Sequence, residues 1–228
     1  MLNLQCDPSN LSHDDDESEP WKIIVYDKYC RDIIVPLFSV QDLQSHGITL
    51  YQLIGNKRQK IPNVPAIYFV QPTQQNLDLV ANDMKSILYD SFYLNFSSGL
   101  QRPSLEHLAN RLIASNSFHR LTKIFDQYIN YSSLSPTLFT LNLSRCYQRL
   151  HSPKQSEQAI DGMINEIVQS LFCVIATLQT IPIIRAQTGG AAQMIGERLS
   201  RKLSTHLKDR NANLFRASGQ TVFQNRPR

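Results

Sequence analysis

Two carboxylates, Asp27 and Asp32, bracket the end of the first apolar run in the chain, WKIIVYDKYCRD. In an open α/β sheet the ligand sits at the carboxyl ends of the strands, so this is where an acid/base pair or a phosphate site would be expected. The position lacks what phosphate chemistry requires: no glycine lets the backbone approach an anion there, and neither G-x-x-x-x-G-K-[ST] nor G-x-G-x-x-G follows any strand. A capping and solvated role therefore competes with a catalytic one. His107 and His119 fall on helix positions that read as surface, and no G-x-S-x-G or H-E-x-x-H motif gives them a partner. Gly189-Gly190 precedes a helix and could hold an anion, but a flexible turn explains the pair better. The four cysteines, Cys6, Cys30, Cys146 and Cys173, have neither metal nor redox spacing. Cys173 lies in an apolar helical run, where it serves as a small core residue. No cofactor and no metal are implied.

The elements that would carry these residues are legible. Ala66–Val70 is a short apolar run between prolines and reads as a central strand. Pro72 ends it, Thr73 caps a helix, and Leu77, Val80, Ala81, Met84, Ile87 and Leu88 recur on one helical face. Upstream, Ile23–Tyr26 reads as a buried strand. Ser39 and Asp42 begin a short helix as a capping box, Gly47 ends it, and Ile48–Ile54 forms another strand. Lys57, Arg58 and Lys60 fill the loop that follows. Downstream, Phe92, Leu94 and Phe96 alternate as a fourth strand. Pro103 and Ser104 open a helix whose inward side carries Leu105, Leu108, Ala109, Leu112 and Ile113. A short helical piece carries Phe118, Leu121 and Phe125, and Tyr128–Tyr131 is the candidate fifth strand. Strand and helix alternate throughout, which predicts an α/β domain with a doubly wound, five-stranded parallel sheet flanked by helices.

The boundaries follow from composition. Residues 1–19, with the acidic run Asp14–Glu17, read as a disordered lead-in. Residues 20–134 form the α/β domain, and 135–155 a linker with an extended piece at Leu138–Leu143. Residues 156–228 form a partial, mainly helical second domain. There Ser156 caps a long helix with Ile160, Met163, Ile164, Ile167, Val168, Leu171, Phe172, Ile175 and Leu178 inward, and Pro182 stops it. Ile183 and Ile184 look like a strand stub. A last helix over Ala191–Lys208 presents Ile195, Leu199, Leu203 and Leu207, and the tail Asn213–Arg228 shows no period. The longest apolar run, Leu171–Leu178, falls short of a bilayer span of ~20 residues, and the N-terminus lacks signal-peptide regions, so the chain reads as soluble. Net charge is +4, and from Arg185 onward nine Lys or Arg face two Asp or Glu. Such a basic end suits nucleic acid or a membrane surface, or simply a solvated helix face, as Arg198, Arg201 and Lys202 suggest.

Several segments together resemble the syntaxin-binding SM family, named for its Sec-one and Munc-eighteen members. They are WKIIVYDKYCRDIIVPLFSVQDLQSHGITLYQLI, IPNVPAIYFVQPTQQNLDLVANDM, YDSFYLNFSSGLQRPSLEHLA, KIFDQYINY and IVQSLFCVIATLQTIPIIRAQ. The forms VPAIYFVQPT, YLNF and FDQYINY are similar to the Sly-type branch, which serves traffic between the endoplasmic reticulum and the Golgi. The resemblance implies a cytoplasmic, non-enzymatic protein, peripheral at ER and Golgi membranes through a syntaxin-type SNARE. It implies no small-molecule substrate and no nucleic acid. It also implies that the first domain captures a syntaxin N-terminal peptide between the helix after the fourth strand, through Leu108 and Leu112, and the segment leading into the fifth. In that segment Leu121 and Ile124 would take an aromatic anchor, and Asp126 a peptide arginine. Family members continue through further domains, so the chain reads as truncated after the start of the second. The competing reading from the residues alone is an α/β nucleotide-binding domain or enzyme with a site near Asp27 and Asp32.

Overall fold

The computed structural model describes Leu4 and residues 21–208. The chain divides into two compact units that meet between Phe139 and Thr140.

In the first unit five parallel strands, β1 (Lys22–Tyr26), β2 (Ile48–Leu53), β3 (Ala66–Val70), β4 (Phe92–Phe96) and β5 (Leu121–Asp126), form one sheet in the order β2-β1-β3-β4-β5. The three inner strands are buried almost throughout, as strands covered on both faces must be. Alternate residues divide between two cores. Ile23, Val25, Tyr68, Val70, Phe92, Leu94 and Phe96 pack under α3 (Gln74–Lys85) and α4 (Arg102–Ala114). Ile24, Ile67, Phe69 and Tyr93 pack under α1 (Lys28–Ile34) and α2 (Val40–Ser45). The strand order reverses between β1 and β3, which makes this the doubly wound sheet expected.

Local chemistry sets the helix ends. The Ser39 hydroxyl accepts from Asp42 N while Ser39 N donates to the Asp42 carboxylate, completing the capping box. Gly47 follows with φ +76°. Thr73 accepts from Asn76 N at the start of α3. The expected face of α3 holds at Leu77, Val80, Ala81 and Met84, but the helix stops at Lys85. Ile87 turns left-handed at φ +51°, so Ile87 and Leu88 lie beyond the helical face.

The structure corrects the fifth strand. Leu121–Asp126, read as part of a helical piece, is β5, preceded by a single 3-10 turn at Phe118–Arg120. Tyr128–Tyr131 is not a strand, because Tyr128 takes φ +52° and breaks the extended backbone directly after β5. The chain continues into a two-stranded sheet, β6 (Ser132–Ser135) with β7 (Leu138–Thr140), instead of one extended piece over Leu138–Leu143. The acidic lead-in lies outside the described residues except at Leu4. The Leu4 side chain is buried in the second core, and its carbonyl accepts from Lys22 Nζ at 3.3 Å.

In the second unit α5 (Cys146–His151), unforeseen within the linker, precedes α6 (Glu157–Leu178) and α7 (Gly190–Lys208). Ser156 caps α6 by accepting from Ala159 N. The helix ends at Leu178, four residues before Pro182, with Gln179 left-handed. Met163, Ile164, Ile167, Val168, Phe172 and Ile175 are buried, whereas Leu178 is exposed. By length and composition α6 could cross a membrane, which its shorter apolar run does not suggest, yet more than half of that window is buried in the protein. Residues Ile183 and Ile184 form no strand and are exposed. Leu199 and Leu203 of α7 are buried. Its basic residues are not all solvated: Arg198 bonds Asp161 and Asn165, and Lys202 bonds Gln169 and lies 4.8 Å from the centroid of the Phe172 ring. The tail Asn213–Arg228 lies outside the described residues.

Candidate functional site

The switch point between β1 and β3 is the first place to look for a ligand, and it is filled from within. Asp27 directly follows β1 and accepts three hydrogen bonds of 2.7 Å: from Cys30 N at the start of α1, from Gln71 N just after β3, and from Asn76 Nδ2 on α3. A buried carboxylate with three donors is stapling strand ends together, and its charge opposes a phosphate at the same spot. Asp32 is exposed and paired with Arg31. Asp27 is thus occupied by donors of the fold, and Asp32 by the neighbouring guanidinium. Gly189 and Gly190 form a positive-φ turn in which Gly189 N donates to Gln193 Oε1. His107 is not idle surface: its Nε2 lies 3.0 Å from Asp78 Oδ1, a carboxylate also held by Arg111.

That pairing orients α4. His107 and Arg111 face Asp78 and Asn82 of α3, and Leu108 and Leu112 point down into the core. The opposite flank must then carry Leu105, Ala109 and Ile113, which recur at four-residue steps. All three are exposed, Leu105 by 42% and Ile113 by 65%, although their periodicity had placed them inward. Phe118, just past the end of α4, is 57% exposed with its ring edge-on to His119. Since α4 connects β4 to the edge strand β5, the flank away from α3 overlooks β5. There Leu121 and Ile124 are half-buried and pack on the same core as Leu108 and Leu112. Asp126 Oδ1 accepts from Leu100 N at 3.1 Å, tying the end of β5 to the loop that enters α4. Desolvation lifts the Asp126 carboxyl above its ordinary pKa, and the Leu100 bond offsets part of that rise.

The five residues singled out from sequence therefore gather on one face, but with unequal access. Leu112 is only 2% exposed and Leu108 is equally covered, so both support the site from below and touch no ligand without repacking. Leu121, Ile124 and Asp126 keep surface. The flank residues Leu105, Ala109, Ile113 and Phe118 were missed as site residues. Their signal was an apolar arc on α4 wider than one sheet contact needs, with His107 and Arg111 marking the side turned to α3.

The model of the Sec1 family matches residues 22–228. The SEC1 family transport protein SLY1 of Arabidopsis thaliana is 42% identical over 219 residues, covering 96% of this chain and 34% of that protein. Sec1 family domain-containing protein 1 of Homo sapiens is 39% identical over 234 residues, covering 98% and 36%. Among solved structures, Sly1p in complex with an N-terminal peptide of Sed5p superposes with a TM-score of 0.78 at 39% identity, covering 85% of this chain and 33% of that one. The chain spans about a third of the length of these relatives. With that match over nearly its whole length, this chain belongs to the Sec1 family.

Proposed function

We propose that the first unit captures the N-terminal peptide of a syntaxin-type SNARE in the groove between the outer flank of α4 and the edge strand β5. The protein then acts in vesicle docking and fusion between the endoplasmic reticulum and the Golgi. It is cytoplasmic, held at those membranes by its SNARE, and does no covalent chemistry itself. The observation that carries the reading is the exposed stripe Leu105–Ala109–Ile113 with Phe118 beside an open strand edge. It lies on the same fold that, in Sly1p, was solved with a Sed5p N-terminal peptide. A short peptide anchors by one or two apolar side chains in such a groove, each worth about 1.5–3 kcal/mol when fully buried. Leu121 and Ile124 provide the floor at the β5 side, and Asp126 stands at the groove's end, where a peptide guanidinium could displace the Leu100 bond or share the carboxylate.

The test is fluorescence anisotropy with a labelled N-terminal peptide of a Golgi syntaxin. The 228-residue chain binds saturably, and Ile124→Lys weakens binding by roughly tenfold or more, because a cation replaces half-buried apolar surface. Equal affinity in wild type and in both Ile124→Lys and Ile113→Gln removes the groove. No binding by the folded wild-type chain removes the function.

A further inference from the structure

The two edges of the sheet are defended differently. Native edge strands are normally blunted by charge, proline or a bulge, because unpaired N–H and C=O groups otherwise recruit another strand. Strand β5 carries Lys123 and Asp126 within LTKIFD, and its register shifts beside Phe92. Strand β2 reads ITLYQL, with no charge and no proline, and its only register shift lies at its beginning, beside Lys22. Its second half is a regular, undefended edge.

Backbone geometry says which groups are offered there. Ile54 N donates to Tyr26 O of β1 at 2.9 Å. Residues of a strand alternate between its two neighbours, so Gln52 also faces β1 while Tyr51 and Leu53 face outward. Asn56 N satisfies the Leu53 carbonyl at 3.2 Å. Among the described residues three groups remain for a partner: Tyr51 N–H, Tyr51 C=O and Leu53 N–H.

Around this edge runs a cleft of about 550 Å³ whose lining contains Arg31, Lys57 and Arg58 and no carboxylate. Arg58 is fixed in the wall by Asp83, at 2.6 Å, and by the Ile54 carbonyl, at 2.9 Å. Lys57, and Lys60 beyond the lining, have no ion pair among the described residues. Tyr51 also lines this cleft, while its hydroxyl is buried away from solvent and has no hydrogen-bond partner among the described residues. The geometry points to β2 as a docking edge for an extended acidic segment of a partner protein, added as a sixth strand. Its backbone pairs with Tyr51 and Leu53, and its carboxylates meet Lys57 and Lys60. A second copy of this chain is a poor occupant, because two such edges would bring like-charged loops together. This edge is the opposite one from the proposed peptide groove, so the two sites succeed or fail separately.

The test is amide hydrogen exchange on the 228-residue chain with and without a synthetic eight-residue peptide of alternating valine and glutamate. The expected result is slowed exchange at Tyr51 and Leu53 on adding peptide, with β5 unchanged. A valine–lysine peptide of equal length gives no effect, and Lys57→Glu/Lys60→Glu weakens the glutamate peptide roughly tenfold. Unchanged exchange at a saturating excess of peptide overturns the proposal, and so do changes confined to the Lys57–Lys60 loop. Protection at Tyr51 and Leu53 without peptide also overturns it, in two forms. If it rises with protein concentration, the occupant is a second copy; if it is lost when Asp14–Glu17 are replaced by their amides, the occupant is this chain's own acidic run.

Discussion

Two neighbouring residues on α4 separate packing from binding. Leu112 is 2% exposed and Ile113 is 65% exposed. Leu112→Ala removes a side chain from a core that also holds Leu108, Phe92 and Leu94. A buried Leu→Ala costs about 2–5 kcal/mol in lost transfer energy and residual cavity. For a unit of this size that lowers the melting temperature by on the order of 10 °C. Ile113→Gln touches little in the free protein and changes stability by no more than ~0.5 kcal/mol. A bound peptide would cover the exposed two-thirds of that side chain, so the loss falls on binding at about 1–2 kcal/mol, roughly fivefold to thirtyfold in Kd. Urea denaturation gives the first quantity, and peptide anisotropy at a temperature where both variants are folded gives the second. The reasoning is refuted if Ile113→Gln destabilises the fold by more than ~1 kcal/mol while binding normally. It is equally refuted if folded Leu112→Ala loses more affinity than Ile113→Gln.

Other outcomes follow from the same geometry. Asp27→Ala removes an N-cap and orphans donors on Gln71 and Asn76, at about 1 kcal/mol for the cap and 1–3 for a buried donor. A loss of ~2–4 kcal/mol in urea denaturation is expected, and a loss below ~1 would show that the staple is idle. Arg58→Met strands the Asp83 carboxylate beside Tyr68 and costs about 3–5 kcal/mol. Arg58→Met/Asp83→Leu recovers part of that cost, and a double variant as weak as the single one would contradict the assignment. Asp42 is held below its usual pKa by the Ser39 hydroxyl and amide, and Asp78 by the His107 bond and the Arg111 charge. Both contribute stability that is present above the ordinary carboxylate pKa and is lost as pH falls through their depressed folded values. Asp42→Asn should therefore flatten the stability curve on the acid side of pH 4, and an unchanged slope would count against the cap's charge.

How far the sequence reaches depends on how local the controlling interaction is. Ala66–Val70 announces itself through prolines and an unbroken apolar run, and Thr73, Ser39 with Asp42, and Ser156 announce helix starts through side chains that bond amides two or three residues on. Those readings need no knowledge of distant parts. The fifth strand is hard to place because LTKIFD has no strict alternation, and its Leu121 and Phe125 also suit a helical four-residue step. It is extended because β4 offers it a ladder, while Tyr128, also a strand-favouring residue type, is turned left-handed where that ladder ends. The site shows the same division. Sequence resemblance brought Leu108, Leu112, Leu121, Ile124 and Asp126 to one neighbourhood, but periodicity placed Leu105, Ala109 and Ile113 in the core with them.

By itself, then, the sequence determined which segments are strands and helices wherever caps, prolines and apolar runs govern, and it determined the family. The tertiary structure alone decided which apolar residues of α4 are spent on the core and which remain for a ligand. The rotation of that helix is set by Asp78, twenty-nine residues before His107 in the chain, and a pairing so remote leaves no periodic trace in the helix itself.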